Sequence, residues 1–373
     1  MQETSINIVA FDIPYPPVYG GIIDIFYKLR ALHEKGARIV LHCFEYNKAR
    51  QPELEKYCFT VYYYQRRIGL TNQFSKVPYI ALTRNHPELL TRLKENDFPI
   101  LFEGLHSCFF LNHPALRNRK KIVRTHNIEH DYYKGLQLSS SNFLKKLYYR
   151  LESRKLKKFE GILHHSDAIL SISESDQNYF LKRFKNVELI PAFHPFNEVT
   201  SKIGSGDYFL YHGKLSVEEN QKAVLFLLQN VFSQTSTKLI VAGSHPDKSV
   251  IEACKRMKNV ELISTPSPEK MQELIENAHA CVLPTFQESG LKLKLLVSLF
   301  ASRFVIVNPA MISGTSLGEI CELANSSEEW IRQVNNISQQ EFQQKCIEKR
   351  KNILAEFSNE KNAEKILKIV QTV

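Results

Sequence analysis

The segment DYFLYHGKLSVEENQKAVLFLLQNVFSQTSTKLIVAGS, residues 207–244, reads as strand, helix, strand. DYFLYHGKL (207–215) is an apolar run that ends in a turn. A helix is predicted over 216–232, opening at Ser216 with Glu219 three residues on, the spacing of a capping box. KLIVAGS (238–244) is a second apolar run of strand length. A helix that returns the chain to start a parallel neighbour is the repeating unit of a doubly wound α/β sheet.

The same alternation continues downstream. A helix runs to about Lys258, VELISTP (260–266) is a strand, and a helix over 267–278 is capped by Ser267. ACVLPTF (280–286) and FVIVNP (304–309) are strands. From about Ser338 the chain is helical and charged. LKLKLLVSLFAS (291–302) begins as an apolar and charged alternation, yet its length favours a helix over a strand. On a helix Leu291, Lys294 and Ser298 share one side, and Leu293, Leu296 and Phe300 another.

Upstream the pattern has an earlier copy. INIVAFDI (6–13), ARIVLHCFEY (37–46), FTVYYYQ (59–65), PILFEG (99–104), KIVRTHN (121–127), AILSIS (168–173) and VELIPAFHP (187–195) read as strands. Helices are predicted over 20–36, over 86–97, over 145–158, and after Ser173. The expected fold is therefore α/β, with two doubly wound, Rossmann-like domains facing a cleft, over residues 1–195 and 196–373. Sheets of this kind bind ligands at the carboxyl ends of their strands.

Composition narrows the class. At 43% hydrophobic and 24% charged the chain is an ordinary globular one. No apolar run reaches the roughly 18 residues of a membrane span. MQETSINIVAFDI has no basic leader ahead of an apolar stretch, so no signal peptide is expected. Seven cysteines, odd in number and without C-x-x-C spacing, point to reduced thiols and a cytoplasmic setting. The net charge of +10 is uneven. Residues 1–195 carry 29 Lys+Arg against 19 Asp+Glu, and residues 196–373 carry 20 against 20. The excess clusters in RNRKK (117–121) and KKLYYRLESRKLKK (145–158). In the second, Leu144, Leu147, Tyr148, Leu151 and Phe159 can share a face, with Lys145, Lys146, Arg150, Arg154, Lys157 and Lys158 toward water. That face is either simply solvated or attracted to anionic lipid or an anionic acceptor. No nucleic-acid motif accompanies the charge, so no nucleic-acid partner is expected.

Motifs that are missing exclude several chemistries. G-x-G-x-x-G after a first strand, G-x-x-x-x-G-K-[ST] and H-E-x-x-H are all absent. Those present sit at strand ends. YPPVYGG (15–21) puts Gly20 and Gly21 where a helix opens, either as a tight turn or as a close approach to an anion. RTHNIEH (124–130) gathers Arg124, His126, Asn127 and Glu129, and EGLHS (103–107) adds Glu103 and His106. Such convergent polar groups mark a site. HGKLSVEEN (212–220) offers Lys214, a surface lysine or a phosphate ligand. Lys292 and Lys294 fall in the first turn of the 291–302 helix, where unpaired N–H groups already make the end positive. Two cations there suit a bound diphosphate, unless both reach out to water.

P-P-x-x-G-G after the first strand, R-x-H-N-x-E, G-[KR]-L-S-x-x-x-N and G-x-K-x-K-L-L occur in this order over nearly the whole chain. The set resembles retaining glycosyltransferases of the GT-B fold, the group numbered four among such enzymes, which includes many mannosyl- and glucosyltransferases. The resemblance implies transfer of a hexose from a nucleotide-diphosphate sugar to a hydroxyl of a glycan or glycolipid, without metal or other cofactor. It places the donor mainly on the second domain and the acceptor on the basic first domain, near Glu103, His106, Arg124 and Asn127. The last helix, about 356–373, would cross back to the first domain.

By motif match Gly20 and Gly21 lie near the donor phosphates and His126 contacts the transferred sugar. Lys214 stands where the family usually has arginine. Gly290, Leu291, Lys292 and Lys294 line the phosphate and sugar pocket, with Glu288 assigned to sugar hydroxyls. Two positions depart from the pattern. Aligned on the Leu-Leu pair, the family's paired glutamates fall on Ser289 and Val297, and a second lysine falls on Glu219. Polysaccharide or glycolipid synthesis at a cytoplasmic location, with peripheral contact to anionic membrane, is the biological expectation. A nucleotide-sugar epimerase and a catalytically idle nucleotide-sugar-binding subunit are the alternatives.

Overall fold

The structure is a computed structural model and describes residues 4–45, 48–140, 142–286 and 292–372. The chain divides into two compact units, residues 1–193 with 357–373 and residues 194–356.

The first unit is built on a seven-stranded parallel sheet in the order β3-β2-β1-β4-β5-β6-β7. Its elements are β1 (Ser5–Ala10), α1 (Gly20–Glu34), β2 (Arg38–Glu45), β3 (Thr60–Gln65), α2 (Tyr79–Leu82), α3 (Pro87–Leu93) and β4 (Ile100–Glu103). They continue with β5 (Lys121–Thr125), α4 (Glu129–Ser139), α5 (Phe143–Phe159), β6 (Ala168–Ser171), α6 (Glu174–Leu181) and β7 (Val187–Leu189). The inner strands are buried along nearly their whole length, as continuous apolar runs covered on both faces should be. On α1 the apolar stripe Ile22, Ile25, Phe26, Leu29 and Leu32 follows the helical period and faces that core.

The second unit is a six-stranded parallel sheet in the order β10-β9-β8-β11-β12-β13. It contains β8 (Phe209–His212), α7 (Glu218–Asn230), β9 (Leu239–Gly243), α8 (Lys248–Lys255), β10 (Val260–Ser264), α9 (Pro268–Asn277) and β11 (Ala280–Leu283). There follow α10 (Leu293–Ala301), β12 (Phe304–Val307), α11 (Pro309–Ile312), β13 (Glu322–Leu323), α12 (Ser327–Ile337) and α13 (Gln344–Leu354). The last helix, α14 (Asn359–Gln371), packs on α1 of the first unit and contributes Ala363, Ile366 and Val370 to its core.

In each sheet the strand order reverses at one place, between β1 and β4 and between β8 and β11. The loops leaving those strands diverge there, which opens a crevice at their carboxyl ends. The glycine motif follows β1, His106 follows β4, and Lys214 and Lys292 follow β8 and β11, while His126 follows β5, the next strand beside β4.

Three expectations needed correction. Ser216 does not cap α7. The cap position is Val217, which makes no side-chain cap bond, and Glu219 turns to Thr285 instead. The helix expected over 86–97 stops at Leu93. On α5 the residues turned inward are Glu152 and Leu156, while Leu144, Leu147 and Leu151 are exposed. The inner face is chosen by polar anchors: Glu152 accepts from the Tyr79 amide at 2.7 Å, and Ser153 Oγ donates to the His130 carbonyl at 2.7 Å.

Candidate functional site

In the first unit, a chain of charged groups lies beneath the crevice. Asp24 and Lys28, four residues apart on the apolar side of α1, are both buried and paired at 3.0 Å. Arg124 forms a bidentate pair with Asp24, Nε to Oδ2 at 2.8 Å and Nη2 to Oδ1 at 2.7 Å. Its remaining hydrogens reach the carbonyls of Ile190 and Pro191. Lys28 Nζ also lies 2.7 Å from Glu103 Oε1, and Glu103 Oε2 lies 2.9 Å from His126 Nε2. Burial alone would raise both carboxylates. For Asp24 Arg124 and then Lys28 outweigh it and hold the group well below the usual range. For Glu103 Lys28 and then His126 also outweigh burial and lower the group.

His126 thus gives its Nε2 to the ionised Glu103. Nδ1 is buried with no hydrogen-bond partner among the described residues. It faces the start of α1, where a Cβ on Gly21 would lie 3.7 Å away and would strike the Phe11 ring at 2.9 Å. A side chain here would crowd the Phe11 ring rather than the histidine. Tyr19, at the cap position of α1, is braced by a 2.8 Å bond from its hydroxyl to Asp12 Oδ2.

Beside His126 lies a second polar pair. His106 packs at a tilt on Phe11 with 4.9 Å between ring centroids, and its Nδ1 is 3.8 Å from Glu129 Oε1. Burial keeps His106 neutral, well below its ordinary value. Burial pushes Glu129 up to about 8, against a hydrogen bond from the Asn127 side chain that pulls it down. A protonated carboxyl, a neutral imidazole and the unpartnered Nδ1 of His126 therefore adjoin one another. They form a set of hydrogen-bonding groups suited to hydroxyls.

In the second unit, Lys214 is exposed on the turn after β8. That turn is fixed from behind: Gly213 N donates to the Ala242 carbonyl at 3.2 Å and Leu215 N to Ser244 at 2.9 Å. The Gly213 carbonyl fills the space a side chain on Gly243 would need. Lys292 occupies the cap position of α10 and Lys294 its first turn. Lys294 Nζ donates to Asn220 Oδ1 at 3.0 Å and to the Tyr211 hydroxyl at 3.3 Å. Burial pushes Lys294 down to about 8, opposed by Glu219 and aided by Lys292. One turn on, Ser298 pairs with His212 Nε2 at 2.8 Å, and burial holds that histidine neutral at about 3. The Lys294 and Ser298 face of α10 is thereby tied to the end of β8. Glu219 accepts from the Thr285 hydroxyl, and Thr285 is held in turn by Asn308.

The structure thus brings together Gly21, His126, Glu103, His106 and Asn127 in one unit and Lys214, Lys292 and Lys294 in the other. Glu288, Ser289, Gly290 and Leu291 lie outside the described residues. Arg124, expected to face an acceptor, is instead wholly buried with its guanidinium spent on Asp24 and two carbonyls, so it is a positioning residue. Glu103 is likewise buried, with its carboxylate on His126 and Lys28. Asp24, Glu103 and His126 bring three metal-ligating atoms within 4.8 Å, but Lys28 and Arg124 already neutralise them. The sequence reading missed Asp24, Lys28, Tyr211, Asn220 and Thr285. The signal for the first two was available, since two opposite charges four apart interrupt the apolar face of α1.

Comparison with known proteins bears on the fold and on the second unit. Residues 206–340 match the family described as Glycosyl transferases group 1. An uncharacterized 44.6 kDa protein in the cps region of Klebsiella pneumoniae is 26% identical over 355 residues, covering 90% of this chain and 91% of that one. WaaG, a glycosyltransferase involved in lipopolysaccharide biosynthesis, superposes with a TM-score of 0.68 at 12% identity, over 99% of this chain and 100% of that one. A TarM variant from S. aureus, in complex with fondaparinux, α-GlcNAc-glycerol and UDP, superposes with a TM-score of 0.68 at 11% identity, over all of both chains. The two parallel α/β sheets are thus those of the GT-B fold, and the second unit carries the match to group 1 glycosyl transferases.

Proposed function

We propose that this chain is a glycosyltransferase that moves a hexose from a nucleotide-diphosphate sugar to a hydroxyl of a glycan or glycolipid, with retention of configuration and without a metal ion. The second unit would hold the donor and the first the acceptor. The observation that carries the reading is the start of α10: a helix N-terminus with Lys292 at its cap and Lys294 in its first turn, at the β8/β11 reversal. Cations at that helix end repel its dipole unless an anion sits between them. The family match over 206–340 and a GT-B relative crystallised with UDP support it further.

The chemistry follows from charge. As the sugar–phosphate bond breaks, negative charge builds on the departing diphosphate, and donors already fixed in place stabilise it without reorganising. Lys292, Lys294, Lys214 and the N–H groups of α10 would do this. The departing phosphate would take the acceptor proton, as the resemblance implies. His126 would hydrogen-bond a sugar hydroxyl through Nδ1, and Glu129 and His106 would receive further hydroxyls. Carriage of a homologue in a cps region supports a surface-polysaccharide acceptor.

The test is turnover of a panel of nucleotide sugars by the pure protein, with the anomeric configuration of the product read by NMR. Lys292→Ala and Lys214→Ala should each lower kcat by roughly a hundredfold, the order lost with one donor to a developing anion. Wild-type turnover and donor affinity in both variants would refute the phosphate site. An inverted product or loss of activity with chelator would refute retention or metal independence respectively.

A further inference from the structure

The charge and apolar pattern of α5 carries an inference that does not depend on the donor chemistry. Phe143, Leu144, Leu147 and Leu151 are 77%, 74%, 45% and 47% exposed, and Leu138 at the end of α4 is 73% exposed. Positions 143, 147 and 151 are successive i, i+4 neighbours, and 144 lies i, i+3 from 147. All four fall within an arc of about 100° on the outer side of the helix. Scattered exposed leucines need no explanation, but a contiguous stripe marks an interaction surface.

The helix cannot simply roll to bury this stripe. Its opposite side is fastened by Leu156 in the interior, by Glu152 on the Tyr79 amide, and by Ser153 on the His130 carbonyl. Lys155 holds Glu152 at 2.8 Å and the Gln73 carbonyl at 2.6 Å. Along one border of the stripe and beyond its end stand Lys146, Arg150, Arg154, Lys157 and Lys158. Arg154, Lys157 and Lys158 also line a surface depression with Tyr179 and Arg183. The one acidic residue of the helix, Glu152, is buried.

We propose that α5 is an interfacial helix that seats the first unit on an anionic lipid bilayer. Its apolar stripe would enter the acyl boundary, and its basic border and the adjoining depression would meet phosphate headgroups. An apolar face rimmed by cations is the signature of a helix lying in the plane of a membrane. The charge selects the occupant. A second copy of this chain would bring the same cationic rim against itself, whereas an anionic surface neutralises it.

The experiment is flotation of the full chain with phosphatidylcholine vesicles, with and without phosphatidylglycerol. Three proteins are compared: wild type, Leu147→Ser/Leu151→Ser and Lys146→Glu/Arg150→Glu. All substituted side chains are at the surface, and circular dichroism and thermal unfolding check that the variants fold. Wild type should float only with phosphatidylglycerol. Each variant should bind at least roughly tenfold more weakly, and raised salt should release the wild type as charge is screened. Nucleoside-diphosphate affinity should be the same in all three, so this proposal and the donor-site reading can fail separately. The proposal is overturned if wild type stays unbound, or if either variant floats as wild type does. It is also overturned if ultracentrifugation shows a dimer that the leucine substitutions dissolve.

Discussion

At the scale of the residue, Glu129 carries the sharpest consequence. It is 2% exposed, and burial raises its carboxyl to about 8. An acid whose folded pKa lies above its unfolded value stabilises the fold fully below the unfolded pKa. That contribution is lost as pH rises through the folded pKa. The protein should therefore lose stability between about pH 4.5 and pH 8 through this group, by at most a few kcal/mol. Glu129→Gln keeps the shape and the neutral state, so it should remove this component of the pH dependence and unfold at a higher temperature than wild type near pH 8. A Tm against pH series for the two proteins checks it, and parallel curves would contradict it. The motif RTHNIEH revealed that polar groups gather at this strand end, but not which way each one turns. A strand buried on both faces has no wet side to receive the charge, so alternation alone cannot separate Arg124 from His126. What turns Arg124 inward is Asp24, one hundred residues away in sequence, which no local pattern encodes.

At the scale of the element, α10 and α7 show what local pattern does and does not decide. The helix over 291–302 was legible from length and leucine spacing, and α10 runs from Leu293 to Ala301 as those predict. The capping box at Ser216 and Glu219 was equally regular and did not form. Glu219 found a partner in Thr285, on the loop after β11, and the tertiary bond prevailed over a cap worth about 1 kcal/mol. That loop also puts Glu219 near enough to raise the pKa of Lys294, while burial carries it the other way to about 8. Lys294 should thus begin to lose its charge just above neutrality. Titration calorimetry with a nucleoside diphosphate should show wild-type affinity falling once pH passes about 8, by up to roughly tenfold per pH unit where the proton must be taken up. Lys294→Met should bind more weakly at pH 7 and show a flatter profile over the same range. Identical pH profiles would separate Lys294 from the diphosphate.

At the scale of the whole molecule, the first unit is assembled from two stretches of chain, and the second lies between them in sequence. Among the contacts that hold α14 to the first unit, ion pairs and apolar burial differ in magnitude. Lys35 pairs with Glu360 at 2.5 Å and Glu364 at 2.7 Å, but these are surface charges on mobile side chains. Such pairs contribute about 0–1 kcal/mol and are screened by salt. Ala363, Ile366 and Val370 are instead buried in the same cluster as Leu29 and Leu32 of α1. Truncating one such isoleucine costs about 2–5 kcal/mol, because the cavity left behind adds to the lost transfer energy. Burial therefore outweighs the ion pairs, which only border the attachment. Lys35→Ala should leave stability within about 1 kcal/mol of wild type. Ile366→Ala should lower it by several times that and should do so selectively. Hydrogen exchange should show lost protection in β1, β2 and α1 of the first unit, with β8, β9 and β11 of the second unit unchanged. Equal loss in both units would mean that the two units unfold as one, and a larger effect from Lys35 than from Ile366 would reverse the ranking of charge and burial.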